Sequence, residues 1–289
     1  MKITFATATS AIALWTVYAI SASALAVPHM DKRIIGGSSL PGNTAPYIVH
    51  LTFTEGEQTY VCGGTVISPR HIVTAAHCVF SPSNSLYSVI GTNIGFGDDS
   101  ISKQTILNPI KITAHPGYVP ATTGQHGVND IAIIEVAGFG AWVDVIPISI
   151  YNGAIPAGQQ LTALGWGSTV SNNDPNSQPD VLKAANVWVG DVEGCKNFAP
   201  EYTSSDGPLI CTLNKYDPGN STCKGDSGTG VIIVVNGKSY IAGLVSEGGR
   251  SNDPTCGTAD GYSLFTHVAA QLDFISDVTG IASSYYTNA

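Results

Sequence analysis

The chain is short of charge. Only 11% of its 289 residues are Asp, Glu, Lys or Arg, and 12 basic residues face 21 acidic ones. The resulting net charge of -9 argues against a phosphate-tracking nucleic-acid binder, which needs a basic face. No run of like charge forms a membrane-surface patch. No Cys-x-x-Cys pair occurs, which argues against a zinc site. His29, His50, His71, His115, His126 and His267 show no metal-ligand spacing, and no acidic pair clearly marks a calcium loop, for which Asp98-Asp99 is the weak candidate. No metal or other cofactor is expected. Beyond the amino-terminal segment, no stretch is long and apolar enough to span a bilayer as a helix.

What is present points to a secreted β-rich protein. The hydrophobic fraction is 43%, with 32 glycines and 16 prolines, a composition that is globular and rich in turns. Lys2, the mostly apolar Ala11 to Ile20 and the small-x-small Ala24-Leu25-Ala26 read as a signal peptide over residues 1–26. Residues 27–33 end in Lys32-Arg33, a processing site that would leave Ile34-Ile35-Gly36-Gly37 as a new amino terminus. Six cysteines in a secreted chain suggest three disulfides, with about 15 pairings open. Short β-forming runs are predicted at 47–53, 65–67, 72–74, 86–90, 131–136, 160–164, 185–189, 230–235 and 239–245. Asn236-Gly237 is a hairpin signal, because both residues tolerate positive φ. Ser171 to Pro179 reads as an exposed loop, and Val268, Leu272 and Ile275 have the spacing of a terminal helix.

Three short segments carry chemistry. Gly225-Asp226-Ser227-Gly228 offers a hydroxyl between glycines, which permit a turn that presents it and aims backbone amides at an oxyanion. A serine needs a neighbouring base to become a nucleophile. Thr74-Ala75-Ala76-His77-Cys78 supplies a histidine, which near neutral pH serves as both base and acid. Asn129-Asp130-Ile131-Ala132-Ile133 places a carboxylate at the start of an apolar strand, where burial demands a partner such as an imidazole N–H. Each alone also fits an ordinary polar turn, a strand-end histidine or a strand cap.

Together, in the order His, Asp, Ser, these segments resemble the chymotrypsin-like (trypsin-family) serine proteases. Ile34 to Gly37 after a basic residue, Cys62-Gly63-Gly64 and Gly165-Trp166-Gly167 extend the resemblance to about Ile275. It implies an all-β fold of two antiparallel six-stranded barrels and a terminal helix, with the active site between the barrels. The barrels would cover about 34–150 and 151–265, joined near Pro147 to Gly158, with the helix at about 266–278. It implies Ser227 as nucleophile, His77 as base and acid, Asp130 as its orienting partner, and the amides of Gly225 and Ser227 as oxyanion hole. Ser246 would stand beside Asp130. Asp226 would pair with the amino group of Ile34 after cleavage at Arg33–Ile34. The cysteines would pair as Cys62–Cys78, Cys195–Cys211 and Cys223–Cys256.

The specificity pocket departs from the resembled pattern. Ser221 stands at the pocket base, where the trypsin branch has an aspartate, so an apolar preference is expected. Ser246-Glu247-Gly248 replaces Ser-Trp-Gly along the rim, Ser263 is the second wall position with Gly261 as the other candidate, and Gly228-Thr229-Gly230 replaces Gly-Gly-Pro. Glu247 or Asp260 offers the alternative of a preference for basic residues. The sequon Asn220-Ser221-Thr222 sits at the expected pocket base, which argues against a glycan there. The expected partners are peptide or protein substrates, an activating protease and a proteinaceous inhibitor, with no nucleic acid and, after signal removal, no membrane. The protein is expected to act as a monomer. A non-catalytic relative acting as a binding protein is the competing function.

Overall fold

The computed structural model describes residues 35–40, 42–80, 86–87, 91–122, 125–139, 145–170, 177–249 and 255–287. The signal segment, Lys32-Arg33 and Ile34 lie outside the described residues, as does most of the loop expected at 171–179.

A two-residue strand, β1 (Ser38–Ser39), comes first. The first sheet then contains β2 (Ile48–Glu55), β3 (Gln58–Ser68), β4 (His71–Thr74), β5 (Thr92–Phe96), β6 (Thr105–Leu107), β7 (Lys111–Ala114) and β8 (Ala132–Glu135). It is antiparallel, in the order β6-β5-β2-β3-β4-β8-β7. Its two edge strands are consecutive in the chain, separated only by Asn108-Pro109-Ile110. Proline has no N–H for the ladder, so one barrel strand is split at Pro109 and its halves close the sheet on itself.

The second sheet contains β9 (Gln160–Gly165), β10 (Lys183–Trp188), β11 (Leu209–Leu213), β12 (Gly230–Val235), β13 (Lys238–Gly249) and β14 (Tyr262–His267). With β1 on its edge, the order is β1-β10-β9-β12-β13-β14-β11. Val189, just past β10, bridges Thr212 of β11 and completes the ring. Each sheet thus has seven strands where six were expected. The extra strand is a split at Pro109 in one barrel and the short β1 in the other.

Three of the four apolar clusters among the described residues set this arrangement. Leu51, Phe53, Val66, Ile94 and Ile134 fill the first barrel. Leu161, Val187, Ile210, Val231 and Phe265 fill the second. The third cluster joins the barrels: Ile67, Val73 and Ile133 of the first pack with Leu164, Trp166, Ile232 and Leu244 of the second. Each such buried side chain contributes roughly 1.5–3 kcal/mol, and the cluster around Trp166 ties the two barrels together.

The terminal helix begins later than expected. Tyr262 to His267 belongs to β14, so the chain turns at Ala269–Gln271 before the helix Leu272–Thr279. Gly280 ends that helix at φ 69°, and a short helix follows at Ser283–Thr287. The strand expected at 86–90 is also displaced. Leu86 makes only an isolated bridge to Phe80, 88–90 lie outside the described residues, and the barrel strand is Thr92–Phe96.

Candidate active site

Strand pairing brings His77 and Asp130 together. β4 leads into a single helical turn, Ala76–Val79, which carries His77, and β8 follows Asp130. Thr74 of β4 is in register with Ala132 of β8, so the residues just outside that pair become neighbours. The Cys62–Cys78 disulfide ties the helical turn to β3, with the Cα atoms 6.2 Å apart. Asn129 takes φ 52° to turn the chain into Asp130, and its side-chain amide donates to the Gly117 carbonyl at 3.0 Å.

The Asp130 carboxylate is buried and receives three donors. The His77 backbone N–H donates to Oδ1 at 2.8 Å, His77 Nδ1 lies 2.7 Å from Oδ2, and the Ser246 hydroxyl donates to Oδ2 at 2.6 Å. A carboxylate only accepts, so Nδ1 carries the proton and Nε2 presents a lone pair. Burial alone would raise the Asp130 pKa, but His77 and Ser246 outweigh it and hold the carboxyl below its usual value. Burial likewise works against charge on His77, and the Asp130 and Glu247 carboxylates outweigh it, raising the imidazole above 6.5.

Ser227 lies on a turn whose glycines are required. Gly225 and Gly228 have φ of 96° and 76°, in the left-handed region that side chains disfavour. The Ser227 carbonyl accepts from Gly63 at 2.8 Å, which links Cys62-Gly63-Gly64 to the Ser227 turn. Asp226 is fully buried, and its carboxylate accepts the Gly167 and Cys223 amides, each at 2.8 Å. A Cβ on Gly167 would stand 2.5 Å from that carboxyl carbon, which explains the second glycine of Gly165-Trp166-Gly167. Among the described residues no cation faces Asp226, and burial pushes its pKa up to about 7.

Among the described residues, no hydrogen bond joins Ser227 Oγ to His77 Nε2. Both residues line one cavity, and such bonds tighten when substrate binds. Ser227 also borders a second cavity of about 260 Å³, walled by Thr222, Ser246, Glu247, Gly248 and the Cys223–Cys256 disulfide. Ser221 is buried, and its hydroxyl donates to the Thr222 carbonyl at 2.9 Å. Ser263 is buried too, with its Oγ 3.0 Å from Thr222 Oγ1. Thr222 lines the cavity, and neither Ser221 nor Ser263, to which the sequence pointed, is among the residues that wall it.

Glu247 turns toward the first barrel, where its Oε1 accepts the Gly127 amide at 2.5 Å. Asp260 is exposed and is not among the residues that wall the cavity. Asn220 is half-buried, and its Nδ2, the glycan attachment atom, donates to Asp217 at 2.7 Å. Sequence reasoning missed Thr222, Lys224 and Gly127 as residues of the site. Only Thr222 had a signal, its place next to Ser221.

Ligand atoms of Cys62, His77 and Cys78 lie within 4.8 Å of one another, but both sulfurs are spent in a disulfide and supply no thiolate. The remaining disulfides are Cys195–Cys211 and Cys223–Cys256. Asp98 and Asp99 cap nearby backbone amides of Ser100 and Thr44.

The family model described as Trypsin matches residues 34–275. The chain belongs to the trypsin family. It is 31% identical to serine protease 1 of Rattus norvegicus, over 90% of this chain and 96% of that protein. It is 30% identical to phenoloxidase-activating factor 3 of Holotrichia diomphalia, over 85% and 72% of the two chains. Trypsin II-P29 of Gallus gallus is 28% identical, over 86% and 89%. As a trypsin-family member the protein is a serine endopeptidase, a hydrolase of peptide bonds, with the double-barrel fold described above.

Proposed function

We propose that Ser227, His77 and Asp130 form the catalytic triad of a secreted endopeptidase made as an inactive precursor. His77 Nε2 removes the Ser227 proton as Oγ attacks the scissile carbonyl, and then returns it to the leaving amine. Asp130 fixes the tautomer and favours the imidazolium that forms. The amides of Gly225 and Ser227, which donate to no other group among the described residues, take the oxyanion. The observation that carries this reading is the His77–Asp130–Ser246 hydrogen-bond chain beside the Ser227 turn.

Activation follows from the buried charge. Asp226 is a carboxylate without a cation among the described residues, and Ile35 pairs with Ser221 on the segment that leads to it. Cleavage at Arg33–Ile34 would supply an ammonium to that site and draw the oxyanion turn into shape. An activating protease is then a required partner, and a proteinaceous inhibitor is expected for the active form. The signal-like segment and three disulfides support secretion. No described helix is long and apolar enough to cross a membrane.

The acyl-side cavity is walled by hydroxyl and apolar groups together with Lys224 and Glu247, whose Oε1 accepts the Gly127 amide, so the Lys224 ammonium faces any basic side chain that enters. This favours small to medium apolar residues before the cut over Arg or Lys. The test is cleavage-site profiling of the activated protein against a diverse peptide mixture, beside Ser227→Ala. Cuts after Leu, Val, Phe or Ala that vanish in the control support the reading. Cuts confined to Arg and Lys would overturn the apolar preference while leaving the triad in place.

A further inference from the structure

The two cavities that meet at Ser227 differ in size and in walls. The one bordered by Ser246, Glu247 and Gly248 holds about 260 Å³. The one bordered by His77 holds about 380 Å³, with Tyr60, Phe80 and Tyr87 as side walls beside the Cys62–Cys78 disulfide. The chemistry assigns each cavity to one half of a substrate. The base hands its proton to the leaving amine, so that amine departs on the His77 side. The acyl half stays on Ser227 and lies against Ser246 to Gly248. The larger, aromatic-walled cavity faces the leaving half.

Those walls are held in place before anything binds. Phe80 stacks on Tyr118 with ring centroids 5.6 Å apart, and Tyr87 stacks on Phe53 at 5.2 Å. Tyr60 tilts against Tyr87 at 6.0 Å, and its hydroxyl donates to Gln58 Oε1. A preformed aromatic wall binds an apolar group without the entropy loss of ordering itself. Lys224 is exposed and borders both cavities. Among the described residues no carboxylate pairs with its ammonium, so its charge meets whatever enters.

We propose that the cavity walled by Tyr60, Phe80 and Tyr87 selects the residue that follows the scissile bond, favouring a large apolar side chain there, with Lys224 disfavouring Lys or Arg. The inference rests on the proteolytic reading above and adds the leaving half of the substrate to it.

Acyl transfer reads the leaving side alone. A small ester acylates Ser227 and releases its alcohol. An amino-acid amide then takes the place of water: its amine attacks the acyl carbonyl, a C–N bond forms, and the bond from that carbon to Ser227 Oγ breaks. The amine proton passes through His77 to Oγ. By microscopic reversibility this amine occupies the cavity that the leaving amine occupies in hydrolysis. The activated protein is given one ester with equal concentrations of the amides of Phe, Leu, Gly and Lys, and the products are counted by mass spectrometry. Phe and Leu amides are expected to be captured at least about tenfold over Gly amide, and Lys amide to fall well below Leu amide. Phe80→Ala should lower the Phe:Gly ratio several-fold, Phe80→Leu should keep most of it, and Lys224→Ala should raise the Lys:Gly ratio. Each ratio is taken within one variant, so changes in acylation or in folded amount cancel.

The wild-type ratios decide the matter. Equal capture of all four amides, or preferred capture of Lys amide, by a protein that hydrolyses the ester overturns the proposal. Failure to hydrolyse the ester, with Ser227 unlabelled by an organophosphorus reagent, overturns instead the proteolytic reading beneath it.

Discussion

His77 sits in the field of two carboxylates, Asp130 and Glu247, and together they raise its pKa above 6.5 against the cost of burial. In the proposed mechanism His77 acts as a neutral imidazole, so activity should rise with pH as it loses its proton. The acid limb of kcat/KM for a small neutral substrate should therefore have its midpoint above pH 6.5. Glu247→Gln keeps an oxygen for the Gly127 amide but removes a charge, so it should lower that midpoint. An unchanged midpoint would show that Glu247 has no electrostatic reach to His77. Asp130→Asn should do more damage, because an amide N–H facing Nδ1 forces the wrong tautomer. A fall in kcat of about 10⁴-fold is expected, measurable by stopped assay with the fold checked by circular dichroism.

Among the elements, two disulfides act as local clips, Cys62–Cys78 on the His77 turn and Cys223–Cys256 on the Ser227 loop. Cys223–Cys256 joins the nucleophile loop to the far wall of the acyl-side cavity across 33 residues. Replacing both cysteines with serine should cost about 3–4 kcal/mol on the chain-entropy account. Urea denaturation would measure it, and unchanged stability would contradict the account. How legible each element was in the sequence follows from its burial. The β12–β13 hairpin was readable because Asn236 and Gly237 must take positive φ, and they do, at 52° and 78°. Leu209–Leu213 is buried at every position, so it lacks the alternation that marks a strand. Thr92–Phe96 carries Asn and Gly, which disfavour strands, and pairing with β2 and β6 overrides them. The His, Asp and Ser segments were legible because each packs its chemistry into four or five consecutive residues. The cavity walls were not. Glu247 and Gly127 are 120 positions apart, and only the packed barrels bring them together.

For the molecule as a whole, the proposed activation would couple to stability through the buried Asp226. Its folded pKa of about 7 stands above the ordinary 3.8, so the folded state holds a proton that the unfolded chain releases. Stability from this group is greatest at low pH and is lost as pH rises from about 4 toward 7. An ammonium from Ile34 would remove that penalty. The Tm of the activated form should exceed that of an uncleavable Arg33→Gln precursor by several degrees at pH 7, and the gap should shrink toward pH 4. A gap independent of pH would count against the Ile34–Asp226 pair. Trp166 is buried in the cluster that joins the barrels, and its indole N–H donates to the Asp99 carbonyl at 2.9 Å. Trp166→Ala should cost roughly 3–5 kcal/mol, again read by urea denaturation. The central claim, that Ser227 is a nucleophile activated by His77, is tested most directly by reacting the activated protein with an organophosphorus reagent and weighing the intact chain. The account predicts one adduct per chain, mapped to Ser227, absent in Ser227→Ala and formed far more slowly in His77→Ala. A folded, activated protein that takes up no reagent, or takes it up at another residue, would contradict it.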